Sequence, residues 1–142
     1  MRTILVAIDG SDAALRALEF AARQAAAVRD TRLHVLYVRL PLRVYGEIEV
    51  YAGEERMRGM AVEEAEAVLE AARRHLAGKV PGVDFEQLEG DPAETIVRRA
   101  TEIGCESIVM GTHGRGRLAS AVIGSVAQRV VHLSSVPVTL TR

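Results

Sequence analysis

Cysteine is almost absent: Cys105 stands alone. No intrachain disulfide can form, which fits a reducing compartment and points to the cytoplasm. An excess of one charge sign is lacking too. The net charge of −1 and a pI of about 6.4 argue against a global electrostatic grip on nucleic acid or an anionic membrane. No apolar run approaches the roughly 20 residues that span a bilayer. The run Ile4 to Ile8 is cut by Asp9 and is too short for the core of a secretory signal. Lysine is nearly missing as well, with Lys79 the single example among many arginines. That bias reads as a genome property. No Gly-Lys-Ser/Thr tripeptide exists, so a Walker A loop is excluded. Linkers, internal repeats and low-complexity segments are not found.

What is present is a chain of 142 residues, about half apolar and a quarter charged. That is enough for one domain with a substantial core, expected over 1–142. Thr3 to Asp9 is a short β-branched run ending in an acid and a glycine, the pattern of a buried parallel strand. Ser11 is placed to cap a helix with Leu15, Leu18, Ala22 and Ala25 on one face. Arg32 to Leu40 forms a second strand, and Pro41 to Gly53 reads as a loop. From Glu54 to Ala77 the helical period returns, with Met57, Ala61, Ala65, Val68, Leu69, Ala72 and Leu76 expected inward and Gly78 as the stop.

A weaker strand with alternating character, "VDFEQLEG", suits a sheet edge. Asp91, Pro92 and Glu94 then open a helix that Gly104 closes. "ESIVMG" is a fourth strand, a further helix runs to Leu133, and "VPVTL" is a fifth strand. Strands alternating with helices predict an α/β fold. The expected form is a single Rossmann-like domain with an open five-stranded parallel sheet, order 3-2-1-4-5, and helices on both faces. In that order the first and fourth strands are neighbours where the winding reverses, the place where such sheets bind ligands. Asp9 and Gly111 would then face one crevice.

The segment "VMGTHGRGRLASAVIGS", Val109 to Ser125, holds the most chemistry. Gly111, Gly114 and Gly116 can adopt positive φ and let backbone N–H groups approach a ligand. Ser125 lies at a helix start, where free N–H groups and the dipole favour an anion. Arg115 and Arg117 add positive charge. Together these are parts of a polyphosphate cradle. Gly114 to Ala119 matches a dinucleotide fingerprint formally. It does not follow directly on a strand, however, and position 134 is serine where an acid is needed. A different pattern, Gly-x2-Gly-x9-Gly-Ser, fits Gly111, Gly114, Gly124 and Ser125 without a gap.

With "ILVAIDGS" at the start, "HVLYV" in the second strand, "IVMGTHGRG" in the fourth and "GSVAQRVV" and "PVTL" near the end, the chain resembles the universal stress protein family. The likeness covers everything except the loop after the second strand. The resemblance implies the sheet order above, a homodimer, and membership of the ATP-binding branch marked by that glycine pattern. By the same resemblance, Asp9 contacts the ribose or the phosphates of a Mg²⁺- or Mn²⁺-bound ATP. Ala7 lines the base pocket, and Val38 meets adenine through its backbone. Met110 and Gly111 lie under the ribose and phosphates, while His113, Gly114, Gly124, Ser125 and Val126 hold the phosphates. A backbone-lined base pocket also accommodates ADP or AMP. Arg115 is a physical addition to this set. The homodimer contact is expected through Val136 to Thr141, where Thr139 and Thr141 make the strand more polar than the family's usual version.

Simpler roles stand beside these. His34, His75 and His132 lack metal-ligand spacing and suit packing or surface positions. Cys105 has no cationic neighbours in sequence and reads as an inert buried thiol. Tyr45 and Tyr51 could cover a base, but surface tyrosines in a loop are ordinary. Two functional classes follow: a nucleotide-dependent regulatory or stress-response module, or a slow ATP hydrolase or phosphate-transfer enzyme on the same site. An enzyme needs a positioned base and an electrophilic lysine or fixed arginine at the transferred phosphate. Neither motif contains a lysine, and Asp9 is the only obvious acid. The reading is therefore a binding module.

Overall fold

The structure, a computed structural model, describes residues 1–42, 50–114 and 122–142, with side chains at 50–52 left aside. Nine elements follow one another: β1 (Arg2–Ile8), α1 (Asp12–Ala27), β2 (Thr31–Arg39), α2 (Val50–Leu76), β3 (Val83–Glu89), α3 (Pro92–Glu102), β4 (Ser107–Gly111), α4 (Ser125–Leu133) and β5 (Val138–Thr141). The strands form one sheet in the order β3-β2-β1-β4-β5, every neighbouring pair parallel. This is the expected order, with β3 at one edge and β5 at the other.

Because side chains alternate across a strand, the sheet feeds two cores. Val6, Leu33, Val35 and Val109 pack under α1 and α2. Leu5, Leu36, Ile108 and Met110 pack under α3 and α4 on the other face. Burial of such side chains on both faces is the main stabilising contribution, about 1.5–3 kcal/mol for each large one. Caps set the helix starts. The Ser11 hydroxyl accepts from the Ala14 N–H at 3.1 Å, and an Asp91 carboxylate oxygen accepts from the Glu94 N–H at 3.0 Å. Gly78 and Gly104, with φ of 74° and 61°, end α2 and α3 in the left-handed conformation that glycine adopts freely.

Four expectations need correction. α2 starts at Val50, so Val50 to Gly53 is helix where the composition suggested loop. Its first turn carries no acid. Met57 is exposed (55 %), not inward. The fully buried residues of α2 begin with Ala65, and Ala61 and Glu64 line a cleft at the sheet's end instead. The early turns therefore run past the strand ends, where no core is left to fill. Leu15 is likewise exposed at 42 %. The buried stripe of α1 is centred on Ala14, Ala17, Leu18 and Ala21, and small side chains there bring the helix close to the sheet. Finally, β5 begins at Val138, two residues later than the pattern indicated, after Pro137.

Candidate functional site

β1 and β4 lie side by side, with Ala7 opposite Met110. Crossovers run to opposite faces from these two strands, so no connection covers their carboxyl ends. A cleft of about 430 Å³ opens there. Ala7, Asp9, Val38, Met110, Gly111, His113 and Val126 line it. Seven of the residues singled out from the sequence thus meet at one place.

Asp9 follows β1 directly. Its Oδ1 accepts from the Ser11 N–H at 2.9 Å, a short turn made possible by Gly10 at φ 85°. The carboxylate is therefore held at the head of α1. The loop after β4 is tied down at both sides. The Ser11 hydroxyl reaches the His113 carbonyl at 3.5 Å, and the Gly124 N–H donates to the Thr112 carbonyl at 2.7 Å.

The glycines of the pattern have packing reasons that the sequence did not reveal. Neither Gly111 nor Gly114 has positive φ, contrary to the expectation from the sequence. A Cβ on Gly111 would stand 2.8 Å from the Ala13 Cβ and 2.9 Å from its carbonyl carbon, so glycine lets α1 lie against β4. A Cβ on Gly114 would stand 2.8 Å from Asp9 Oδ2. On Gly124 it would be 3.1 Å from the Thr112 carbonyl oxygen. The pattern records three close approaches between β1, β4, α1 and α4.

Gly114, Gly124 and Ser125 do not line the cleft wall themselves. They stand at its β4 end, where α4 begins. Gly124 is the N-cap and offers no side-chain hydrogen bond. The first bond within the helix runs from the Gln128 N–H to the Gly124 carbonyl at 3.0 Å. The N–H groups of Ser125, Val126 and Ala127 precede it and have no helical acceptor, a favourable place for an anion. His113 lies between this end and Asp9. Its Nδ1 is 2.8 Å from the Thr112 hydroxyl, while its Nε2 is buried without a hydrogen-bond partner among the described residues. If the hydroxyl donates to Nδ1, the ring carries its proton on Nε2 and offers a donor there. Arg115, Arg117, Gly116 and Tyr45 lie outside the described residues, and so does the side chain of Tyr51.

The opposite end of the cleft is apolar. Leu36, Leu40, Leu42 and Ile96 line it beside Val38. Leu36 and Leu40 share the strand face of Val38, so period-two spacing alone could have named them. Ala61 and Glu64 of α2 also contribute, as does Pro92 at the start of α3. Only the length of the α2 overhang brings the first two there, and no local signal encodes that. Arg39 joins them at the end of β2.

The other histidines take structural positions. His34 is buried, with Nε2 2.7 Å from Glu86 Oε2, which also accepts from Arg99 Nε at 2.8 Å. Burial would raise the Glu86 carboxyl, but the hydrogen bonds from Arg99 and His34 outweigh it and hold the group below its ordinary range. His75 Nε2 lies 3.3 Å from Glu19, and His132 is exposed. Burial pushes the Cys105 thiol up, which suits an inert side chain. Among the described residues no three His, Cys, Asp or Glu side chains are grouped to hold a metal. No described helix is long and apolar enough to cross a membrane.

Comparison with known proteins gives this architecture a context. The model of the universal stress protein family matches residues 1–142. A Thermus aquaticus relative, a universal stress protein encoded in the 3′ region of a QAH/OAS sulfhydrylase, is 39% identical over 144 residues. That match covers 99% of this chain and 98% of the relative. Universal stress protein UspA from Lactobacillus plantarum superposes with a TM-score of 0.87 at 24% identity, over 99% of this chain and 97% of that one. The universal stress protein from Archaeoglobus fulgidus in complex with dAMP gives 0.74 at 26% identity, over 100% and 98%.

Proposed function

The chain belongs to the universal stress protein family, and we propose that it is a regulatory module that binds an adenine nucleotide in the cleft between β1 and β4. One observation carries this reading. A single cleft joins an end lined by Leu36, Val38, Leu40, Leu42 and Ile96 to an end where Asp9, His113 and the uncapped start of α4 converge. A nucleotide has that polarity: a flat apolar ring at one end and anionic oxygens at the other. The complex of the Archaeoglobus fulgidus relative with dAMP supports the choice of adenine.

In this reading the ring sits against Leu36 and Val38, with Ala7 below. β1 ends at Ile8, opposite Tyr37, so the Val38 carbonyl, which points to the β1 side, has no strand partner there and is left for the base. Met110 and Gly111 underlie the sugar. His113, Gly114, Gly124, Ser125 and Val126 surround the phosphates, with Arg115 as a further cation. ATP is the favoured ligand, with ADP and AMP sharing the same contacts. A Mg²⁺ or Mn²⁺ ion fits these residues only as a rider on the phosphates. Among the described residues, Asp9 and Glu64 are the carboxylates that line the cleft; Asp9 stands at the phosphate end, and the ion would supply charge neutralisation there. The output is a change of conformation or partner affinity in the cytoplasm.

We further propose a homodimer through Val136 to Thr141. The Ile108 N–H donates to the Pro137 carbonyl and the Thr112 N–H to the Thr141 carbonyl. Backbone groups of alternate β5 residues, Val138 and Leu140, therefore face the open edge. Unpaired edges are normally covered, and a two-fold copy of the same strand covers this one. In the single chain, Val136, Val138 and Leu140 already pack partly on the α3 and α4 core, so a partner would cover only what remains of that face.

Mass spectrometry of small molecules released from natively purified protein, with calorimetric titration of ATP, AMP and adenosine, tests the nucleotide reading. Released adenine nucleotide, or saturable binding that strengthens from adenosine to ATP, is expected. No nucleotide on the protein and no heat with any of the three refutes it.

A further inference from the structure

Among the described residues, the apolar end of the cleft contains one cationic side chain, Arg39. Its side chain is only 16% exposed. Nη1 donates to Glu89 Oε2 at 3.1 Å, across the register pair of β2 and β3. The Nε is buried and has no hydrogen-bond partner among the described residues. A guanidinium is permanently charged and carries five N–H donors in one rigid plane. A buried donor left unpaired is costly, and the ion pair does not account for it. Glu89 is 39% exposed, and a pair so open to solvent contributes little to stability. The cleft already has apolar walls from Leu36, Val38 and Ile96 on the other face of the sheet.

We infer that Arg39 is a specificity-determining residue of the cleft, donating to an acceptor nitrogen on the edge of the nucleobase. The inference rests on the nucleotide reading above. Leu33, Val35 and Tyr37 face the core under α1 and α2, while Leu36 and Val38 face the other. Arg39, in phase with the first set, reaches the cleft from the α2 side. A ring that meets the backbone of Val38 with one edge therefore presents another edge to Arg39. Purine ring nitrogens at positions 1, 3 and 7 of adenine are all acceptors, so each edge offers one. A small rotation of the stem turns Nε out of its sealed position while the planar fork keeps Glu89 within reach. Ring recognition then combines a shape-selective apolar slot with a single charged donor. A ring that places C–H at that point leaves the guanidinium unpaired and is rejected.

The test is calorimetric titration of AMP and its 1-, 3- and 7-deaza analogues into the wild type and Arg39→Met. Methionine keeps an apolar stem and removes every donor, and Arg39→Lys serves as a second variant that keeps the charge. Arg39→Met should weaken AMP about tenfold or more, the scale of one hydrogen bond to a charged group. One analogue should lose a similar factor on the wild type and then bind Arg39→Met as well as AMP does. The analogue arm on the wild type needs no substitution, so a poorly folded variant does not block the reading. If no single analogue stands out on the wild type, or if AMP binds wild type and Arg39→Met equally, the inference is overturned while nucleotide binding stands. If the wild type binds no adenine nucleotide, the functional reading falls first and this inference falls with it.

Discussion

Alanine substituted at the three described glycines of the pattern should separate packing from binding. At Gly111 the added Cβ meets the Ala13 methyl and the backbone beside it: 2.8 Å to the Ala13 Cβ, 2.9 Å to the Ala13 carbonyl carbon and 3.1 Å to the Ala14 nitrogen. Ordinary carbon contacts lie at about 3.5 Å or beyond, so α1 must withdraw by roughly 0.6 Å. That helix cannot move alone. The Thr141 hydroxyl donates to the Ala13 carbonyl at 3.2 Å, and the Ser11 cap begins the same turn. Overpacking against a backbone belongs at the upper end of the usual 1–3 kcal/mol, so about 3 kcal/mol is expected. For a domain of this size that lowers Tm by roughly 10 °C. At Gly114 the clash is with Asp9 Oδ2 at 2.8 Å, the end of a side chain that can turn. Turning disturbs the Ser11 N–H bond, so about 1 kcal/mol is expected from that loss, with a clear loss of ATP affinity. At Gly124 the nearest atom is the Thr112 oxygen at 3.1 Å, and the cost should fall between the two. Urea unfolding followed by circular dichroism, paired with ATP titration, reads both quantities. Gly111→Ala within about 0.5 kcal/mol of wild type, the range of an ordinary surface change, would refute the packing account. So would Gly114→Ala proving as destabilising as Gly111→Ala.

Four further outcomes follow from the same coordinates. Asp91→Ala removes the cap of α3 and a partner of Arg129, whose Nη1 lies 2.8 Å from Asp91 Oδ1, and should cost about 1 kcal/mol at pH 7. The Glu94 N–H, then the Arg129 guanidinium, hold the Asp91 carboxyl below its ordinary range. Its contribution is thus present above about pH 4 and lost as pH falls through the lowered value, so urea midpoints of wild type and variant should converge in acid. Cys105 should resist a thiol reagent at pH 7.5 in native protein and react at once in urea, because burial raises its thiol; fast native labelling would contradict this. ATP turnover should stay below roughly 1 s⁻¹, the low end of ordinary enzymes, as read by phosphate release. Sedimentation at tens of micromolar should show a dimer that Val138→Lys splits. Because Val138 also touches the α4 side of the core, a thermal scan must show that variant still folded.

The order of elements was legible because each local signal agreed with the next. β-branched runs bounded by Asp9-Gly10 or Gly111 gave the strands, and Ser11 and Asp91 marked helix starts that the structure keeps. Sheet order followed from the alternation and from crossover handedness. Failures came where tertiary position overrides local pattern. Met57 lies on the correct helical stripe, yet the helix has outrun the sheet by that point. Leu15 is hydrophobic and in phase, but Ala14, Ala17 and Ala21 bring the sheet closest to a neighbouring line on the helix. Neither displacement is encoded in the segment itself. Both depend on the length of the strands beneath.

The site was legible for a different reason, and its glycines were partly misread. A glycine in sequence reports that a side chain is intolerable, without saying what would collide with it. The expectation placed a ligand at all three positions and freedom of φ at Gly111 and Gly114. The structure assigns the collision at Gly111 to α1, that at Gly114 to Asp9 and that at Gly124 to Thr112. Yet the two accounts are mechanically one. Close approach of α1 to β4 sets Asp9 beside Gly114, and the Gly124 N–H on Thr112 sets the first turn of α4 beside both. Anion-binding N–H groups are useful only if the carboxylate and the imidazole stand at a fixed distance from them. In the proposed nucleotide site, glycine at these positions would therefore serve the ligand through the frame, and a substitution would abolish binding without ever touching a phosphate. Arg39 illustrates the converse. Its neighbours in sequence are ordinary strand residues, and a lone arginine at a strand end gives no signal. Its burial together with its place in the cleft wall distinguishes it from the other described arginines.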